Sequence, residues 1–239
     1  MTVSFIIPFH NEEKNCRPAV ERIVKFAGKN GLNYEIIPVD DRSTDKTTLI
    51  LKEIAGNNSK IKPVFRRDDG REKGNTMGKA LIDGTDKAKG DYVIWTMGDL
   101  ADSTVTYKHI IDKLAGGFDL VFGSRYMPGG SRGNLDPLKA KLSSTGTILA
   151  KLLFRIPVHD ITNAFRGFKR SIFKKIKLQE SGFSISPEFA IKAHFQGFKL
   201  GEVPTTYANR VEGASSFKLF KMTKSYLLLY LKLLFTPRV

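Results

Sequence analysis

Apolar positions fall in short, near-continuous runs over the first 125 residues. Val3–Phe9, Tyr34–Asp40, Ile61–Arg66, Tyr92–Gly98 and Phe118–Ser124 read as strands. Runs such as SFIIP, YEIIPVD and DYVIWTM do not alternate with polar residues, which is the pattern of strands covered on both faces. Helical spacing appears between them, near residues 13–29, 44–56, 76–89 and 104–115. The order βαβαβαβαβ predicts an α/β protein with an open, doubly wound sheet flanked by helices. Ligands of such sheets sit at the carboxyl ends of the strands.

The rhythm changes after Gly130. MPGGSRGNLDP reads as a loop, then come a helical stretch over Leu138–Phe154, a short segment at Phe165–Lys169, a helix near 186–196 and a strand-like KLGEVPTTY. The tail, LFKMTKSYLLLYLKLLFTPRV, is the most apolar stretch. Its longest uncharged run within the leucine cluster, Ser225–Leu231, is seven residues, whereas a membrane span needs about 20. The pattern predicts an amphipathic helix over 217–239 lying on a membrane surface. A core helix or a helix between two copies of the chain is the competing reading.

Composition narrows the class. At 239 residues with 41% hydrophobic and 26% charged residues, the chain can bury a core, and collagen, disorder and coiled coil are excluded. The single cysteine, Cys16, rules out an internal disulfide. The start, MTVSFIIPFHNEE, lacks a basic region and a small-residue cleavage site, so no signal peptide is expected. Charge is uneven. Through Gly130 there are 20 basic and 18 acidic residues, and beyond it 19 and 6, so +13 of the total +15 lies in the second part. Such a surface suits a polyanion: nucleic acid, an anionic membrane or a phosphorylated ligand.

Three predicted strands deliver polar residues to one sheet edge: Pro8-Phe9-His10-Asn11-Glu12, Asp40-Asp41-Arg42-Ser43-Thr44-Asp45 and Met97-Gly98-Asp99-Leu100-Ala101-Asp102. Helix capping explains any one of them, but not all three together. Asp99 and Asp102 have the chemistry of hard ligands for Mg²⁺ or Mn²⁺, which accept one or two carboxylates plus phosphate oxygens.

The segments SFIIPFHNEE, PVDDRSTDKT and KGDYVIWTMGDLAD resemble family 2 glycosyltransferases of the GT-A fold. GSRYMPGG, DITNAFRGFKR and GEVPTTYANRVEGASSFK resemble the dolichyl-phosphate mannose synthase type within that family, which glycosylates polyprenyl phosphates. The resemblance implies a GT-A domain over 1–216, with a nucleotide-sugar half (1–125) and an acceptor half (126–216). It assigns Pro8, His10, Asn11, Glu12 and Asp41 to the base and ribose, with Lys73, Gly98 and the Gly70–Gly84 segment beside a GDP- or UDP-linked donor. A carboxylate such as Asp41 can accept from the imino N–H that uracil and guanine share. Asp99 and Asp102 take the metal. That motif departs from the subgroup's Asp-x-Asp-Leu-Gln, with Met97 at the first Asp and Ala101 at the Gln.

For the acceptor phosphate the candidates are Arg125, Arg132, Arg166, Arg210 and Lys218. Arginine clamps phosphate with two parallel N–H groups. An ionised phosphate needs no general base, which implies single displacement with inversion. A hydroxyl acceptor on a glycan, the alternative, needs one, and Asp160 and Glu188 are the candidates. The resemblance implies a place at the cytoplasmic face of the membrane, peripheral or anchored, alone or with a second copy or a separate membrane-spanning partner. A basic nucleic-acid binder is the non-enzymatic alternative, although no helix-turn-helix, zinc or RNP-like pattern supports it. A nucleotidyltransferase would carry a Gly-rich basic loop after strand one, where this chain has His-Asn-Glu-Glu.

Overall fold

The computed structural model describes residues 1–67, 76–207 and 219–235. The strands are β1 (Thr2–Phe9), β2 (Asn33–Asp41), β3 (Val64–Arg66), β4 (Tyr92–Trp95), β5 (Leu120–Ser124), β6 (Arg166–Lys169) and β7 (Leu200–Pro204). The helices are α1 (Cys16–Lys29), α2 (Thr47–Asn57), α3 (Met77–Lys87), α4 (Thr104–Ala115), α5 (Pro137–Phe154), α6 (Arg170–Phe173), α7 (Ile185–Phe195) and α8 (Leu219–Leu234). One sheet runs in the order β3-β2-β1-β4-β6-β5-β7. Its β1–β2, β1–β4, β2–β3 and β5–β7 pairs are parallel.

Simple winding places β5 directly beside β4. Instead β6 lies between them, antiparallel to both, with Gly167 opposite Ile94 on one side and Val121 on the other. A Cβ at Gly167 would collide with Ile110 of α4, so glycine lets the helix cross the strand closely.

Helices cover both faces, which is why the strands read as unbroken apolar runs. On one face, Val20 and Ile23 of α1, Leu51 of α2 and Ile110 of α4 pack on Phe5 and Ile7. On the other, Leu81 of α3, Ala150 of α5, Phe189 of α7 and Leu229 of α8 share one core with Trp95, whose ring meets Phe189. Trp95 is fully buried and its indole N–H donates to Thr85 Oγ1 at 2.8 Å. At Gly84 a Cβ would approach Ile6 Cγ2 to 2.6 Å, so this position brings α3 down onto the sheet.

Helix α5 starts on Asp136, whose carboxylate accepts from the backbone N–H of Leu138 and Lys139, with Pro137 next in the first turn. Helix α8 turns Met222, Tyr226, Leu229, Tyr230 and Leu233 inward and leaves Leu227, Leu228, Leu231 and Leu234 exposed. The leucines of this helix divide between two flanks. Leu229 and Leu233 belong to the core, and only the other flank is apolar and open. Among the described residues, no helix is long and apolar enough to cross a membrane.

Candidate active site

The carboxyl edge of β1, β2 and β4 gathers the polar residues expected there. Each following loop contains one non-glycine residue in the left-handed region: Asn11 (φ 54°), Arg42 (φ 62°) and Leu100 (φ 63°). Such conformations cost about 1–3 kcal/mol each and persist only where surrounding contacts impose them. Those contacts are present. The Asn11 N–H donates to Ser43 Oγ at 2.9 Å, and Asn11 Oδ1 accepts from the Thr44 N–H at 2.7 Å. The Glu12 N–H donates to Thr47 Oγ1 at 2.9 Å, and Glu12 Oε2 accepts from Asn15. These bonds sew the β1 and β2 loops together into one wall. Pro8, at the end of β1, pairs in register with Val39.

His10 Nδ1 lies 2.7 Å from the Asp41 carbonyl oxygen. A carbonyl only accepts, so Nδ1 carries the hydrogen in this contact, and the residue as a whole is exposed.

The Asp41 carboxylate is buried at 5% exposure and already engaged. Arg66 Nη1 donates to it at 2.5 Å, Arg42 Nε at 3.2 Å and Thr76 Oγ1 at 2.6 Å. Arg66 also holds Asp83 of α3 through Nε at 2.6 Å. Reading a base through Asp41 therefore means sharing it with two arginines. Arg66 and Thr76 lie 25 and 35 residues away along the chain, and although Thr76 falls within the Gly70–Gly84 segment, sequence reasoning singled out neither residue for the site.

After β4 the chain turns through Met97–Asp102. Asp99 stands partly exposed on this loop, and its Oδ1 accepts from the Ala101 N–H at 3.2 Å. Asp102, expected as a second metal ligand, is buried. Its Oδ2 accepts from Thr96 Oγ1 and from the Met97 N–H, both at 2.9 Å, beneath the loop. The Thr96 hydroxyl lies 2.8 Å from the Tyr107 hydroxyl, which closes the network. Burial, then the charge of Asp99, pushes the Asp102 carboxyl up to about 7. Asp102 braces the loop through Oδ2. Among the described residues no three His, Cys, Asp or Glu side chains form a cage for a metal. One carboxylate at an open sheet edge fits Mg²⁺ or Mn²⁺ of the kind that draws its remaining ligands from phosphates and water.

Two of the glycines expected beside the donor are closely packed. A Cβ at Gly78 would come within 2.6 Å of the Glu180 carbonyl, and one at Gly98 would strike the Phe9 ring. Gly70, Lys73 and Gly74 lie outside the described residues.

On the acceptor side, Arg125 follows β5 and forms a two-bond fork to Asp160. Nε donates to Oδ2 at 2.7 Å and Nη2 to Oδ1 at 3.0 Å, and Nη2 is also near Ser143 and Thr162. Burial disfavours the Arg125 charge, but Asp160 outweighs it and raises the pKa. Arg166, expected to meet phosphate, is corrected. It is fully buried, and its N–H groups go to the carbonyls of Ser186, Ile161, Asn163 and Ala164. Burial pulls it down to about 9. Arg132 is exposed on the loop after β5, while Arg210 and Lys218 lie outside the described residues. The candidate bases are engaged as well. Asp160 holds Arg125, and Glu188 accepts from the Gln179 and Glu180 N–H groups and from Lys192. Cys16 is buried, and burial pushes its thiol up to about 11, far from a reactive thiolate.

This fold and edge are those of a GT-A glycosyltransferase. Residues 4–177 match the family described as Glycosyl transferase family 2, and the chain belongs to it. It is 34% identical over 221 residues to a dolichol-phosphate mannosyltransferase of Pyrococcus furiosus, covering 91% of this chain and 60% of that protein. It is 30% identical over 216 residues to a polyprenol monophosphomannose synthase of Mycolicibacterium smegmatis, covering 88% of this chain and 78% of that protein. The chain thus spans less than two thirds of the Pyrococcus relative. Among solved structures it resembles glucosyl-3-phosphoglycerate synthase of Mycobacterium tuberculosis, crystallised with Mn²⁺, UDP and glucosyl-3-phosphoglycerate. There the TM-score is 0.72 at 18% identity, covering 99% of this chain and 81% of that one. The same enzyme with Mg²⁺ and UDP gives a TM-score of 0.71 at 17% identity, covering 99% and 80%. A nucleic-acid binder with no enzymatic role gives way to this family membership.

Proposed function

We propose that this glycosyltransferase moves a sugar from a GDP- or UDP-linked donor to a polyprenyl phosphate at a membrane surface, with inversion at the anomeric carbon. The observation that carries this reading is the state of the acceptor-half carboxylates. Asp136 caps α5, Asp160 holds Arg125, Glu180 accepts from Ser184, Glu188 caps a turn and pairs with Lys192, and Glu202 pairs with His159. Each described carboxylate in that half is thus engaged in structure. An acceptor that arrives already ionised, as a phosphate monoester does near neutral pH, needs none of them as a base. The names of the two curated relatives point to the same class of acceptor.

In this reading the β1–β2 wall holds the nucleoside through His10, Asn11 and Asp41. Asp99 holds Mg²⁺ or Mn²⁺, which when bound neutralises the charge of the departing diphosphate. Arg132 meets the acceptor phosphate from the loop that the Arg125–Asp160 fork braces. The chain's own contribution is positioning and charge compensation.

The membrane reading draws support from two helices. The open flank of α8 carries Leu227, Leu228, Leu231 and Leu234, and α5, which packs against α8, also leaves Ile148 and Leu152 exposed. Exposed Lys221, Lys224 and Lys232 lie along the same helix. Lysines near an anionic surface contribute roughly 1 kcal/mol each.

A thermal-shift panel of sugar nucleotides with and without Mn²⁺ tests the donor assignment. A ligand that binds only the folded chain raises its melting temperature. A GDP- or UDP-sugar that stabilises the protein more with Mn²⁺ is the expected result. A panel in which no sugar nucleotide shifts melting contradicts the proposal.

A further inference from the structure

Arg22 lies on α1, outside every motif. Its guanidinium reaches across to the loop that carries Asp99. Nη1 donates to the Leu100 carbonyl at 2.8 Å and Nη2 to the Asp102 carbonyl at 2.5 Å. The loop needs such a clamp, because Leu100 adopts φ 63°, a conformation costly for a side chain with a Cβ. A second clamp works from beneath, where the Asp102 carboxylate takes the Met97 N–H and the Thr96 hydroxyl. Asp99 sits between the clamped points, adjacent to Leu100, and its carboxylate accepts from the Ala101 N–H.

From this arrangement we infer that Arg22 is a positioning residue for Asp99: its fork holds the Leu100 and Asp102 carbonyls toward α1 and thereby presents the Asp99 carboxylate at the open edge of the sheet. The inference rests on the proposed reading of Asp99 as the metal ligand. The residue type matters. Two carbonyls two residues apart match the planar, rigid fork of a guanidinium, whereas a lysine ammonium is a single point charge on a flexible stem. With the fork gone, the strained turn loses the contacts that impose it, and Asp99 loses its fixed direction.

Calorimetric affinity for UDP and GDP, measured once in saturating Mn²⁺ and once in EDTA, tests this. The ratio of the two affinities is the metal-dependent gain. Supports of metal ligands are worth roughly 10–100-fold in metal affinity. Arg22→Ala is therefore expected to cut the gain by about tenfold or more while leaving affinity in EDTA unchanged. Arg22→Lys should fall between it and the parent protein, and Asp99→Asn should abolish the gain. Melting temperatures confirm that each variant is folded, and Arg22→Gln replaces Arg22→Ala if the latter is not. A gain lost in Asp99→Asn but intact in the Arg22 variants overturns the inference alone. An equal fall with and without Mn²⁺ in the Arg22 variants also overturns it, since that marks a general structural role. A gain intact in Asp99→Asn overturns the metal reading beneath it.

Discussion

The two ends of the sheet differ in the charge they leave within reach of a ligand. Around β1, β2 and β4, loops bent through Asn11, Arg42 and Leu100 at positive φ tie Asp41 and Asp102 down and leave Asp99 partly exposed at the edge. The arrangement carries strain that cross-loop hydrogen bonds offset. Around β5, β6 and β7, basic groups are withdrawn instead. Arg125 is forked onto Asp160, and Arg166 is saturated by backbone carbonyls. The strongly basic composition of that half therefore overstates the charge it offers to a ligand. Its exposed cations, such as Arg132, Lys141, Lys221 and Lys224, lie on a loop and on α5 and α8. The comparison separates charge that organises the protein from charge that meets a substrate.

The sharpest way to break that distinction is at Asp99. Asp99→Ala should reduce turnover by about 10²–10³-fold or more, comparable to removing one group that stabilises the charge of a transition state. It should leave melting unchanged, since Asp99 is partly exposed at a strand end. Initial rates with a sugar nucleotide, alongside a melting curve, check both. Asp160→Ala should do the reverse. It strands the buried Arg125 charge and should lower stability by roughly 3–5 kcal/mol, read by urea unfolding, while nucleotide affinity in the folded fraction persists. Next comes Asp41→Asn, which should weaken UDP or GDP binding by about 1–3 kcal/mol in calorimetry, because Arg66, Arg42 and the base lose a shared acceptor. Unchanged affinity for both nucleotides would remove Asp41 from the site. The smallest effect belongs to the surface of α8. Leu228→Glu with Leu231→Glu should reduce binding to anionic vesicles by about tenfold, each glutamate reversing a favourable contact with the interface. Nucleotide binding should not change, and flotation gives the readout.

Much of this was legible in the residues and some was not, for identifiable reasons. Strands β1, β2, β4 and β5 announce themselves because both faces are covered and their apolar runs are continuous. Strand β6 does not, because RGFK carries two basic residues and a glycine, and its place between β4 and β5 is set by long-range pairing. The identities of His10, Asn11, Asp41 and Asp99 at one edge followed from strand ends alone. The burial of Asp102 and Arg166 did not, since Asp102 reads as a surface residue after a strand and Arg166 opens a basic segment, and both become internal only through the groups packed around them. Arg22 left no trace in the sequence, because its partners are carbonyls 78 and 80 residues away. An amphipathic helix was visible in the tail, but that some of its leucines enter the core depends on where α5 lies.

The central claim is that the acceptor brings its own ionised oxygen. It is tested most directly by offering the protein a sugar nucleotide, Mn²⁺ and vesicles holding either a polyprenyl phosphate or the polyprenol of the same length, and measuring chloroform-soluble labelled sugar. The account predicts transfer to the phosphate and none to the alcohol. Transfer to the alcohol at a comparable rate would contradict it, and would require a general base that the described acceptor-half carboxylates, each engaged elsewhere, do not supply.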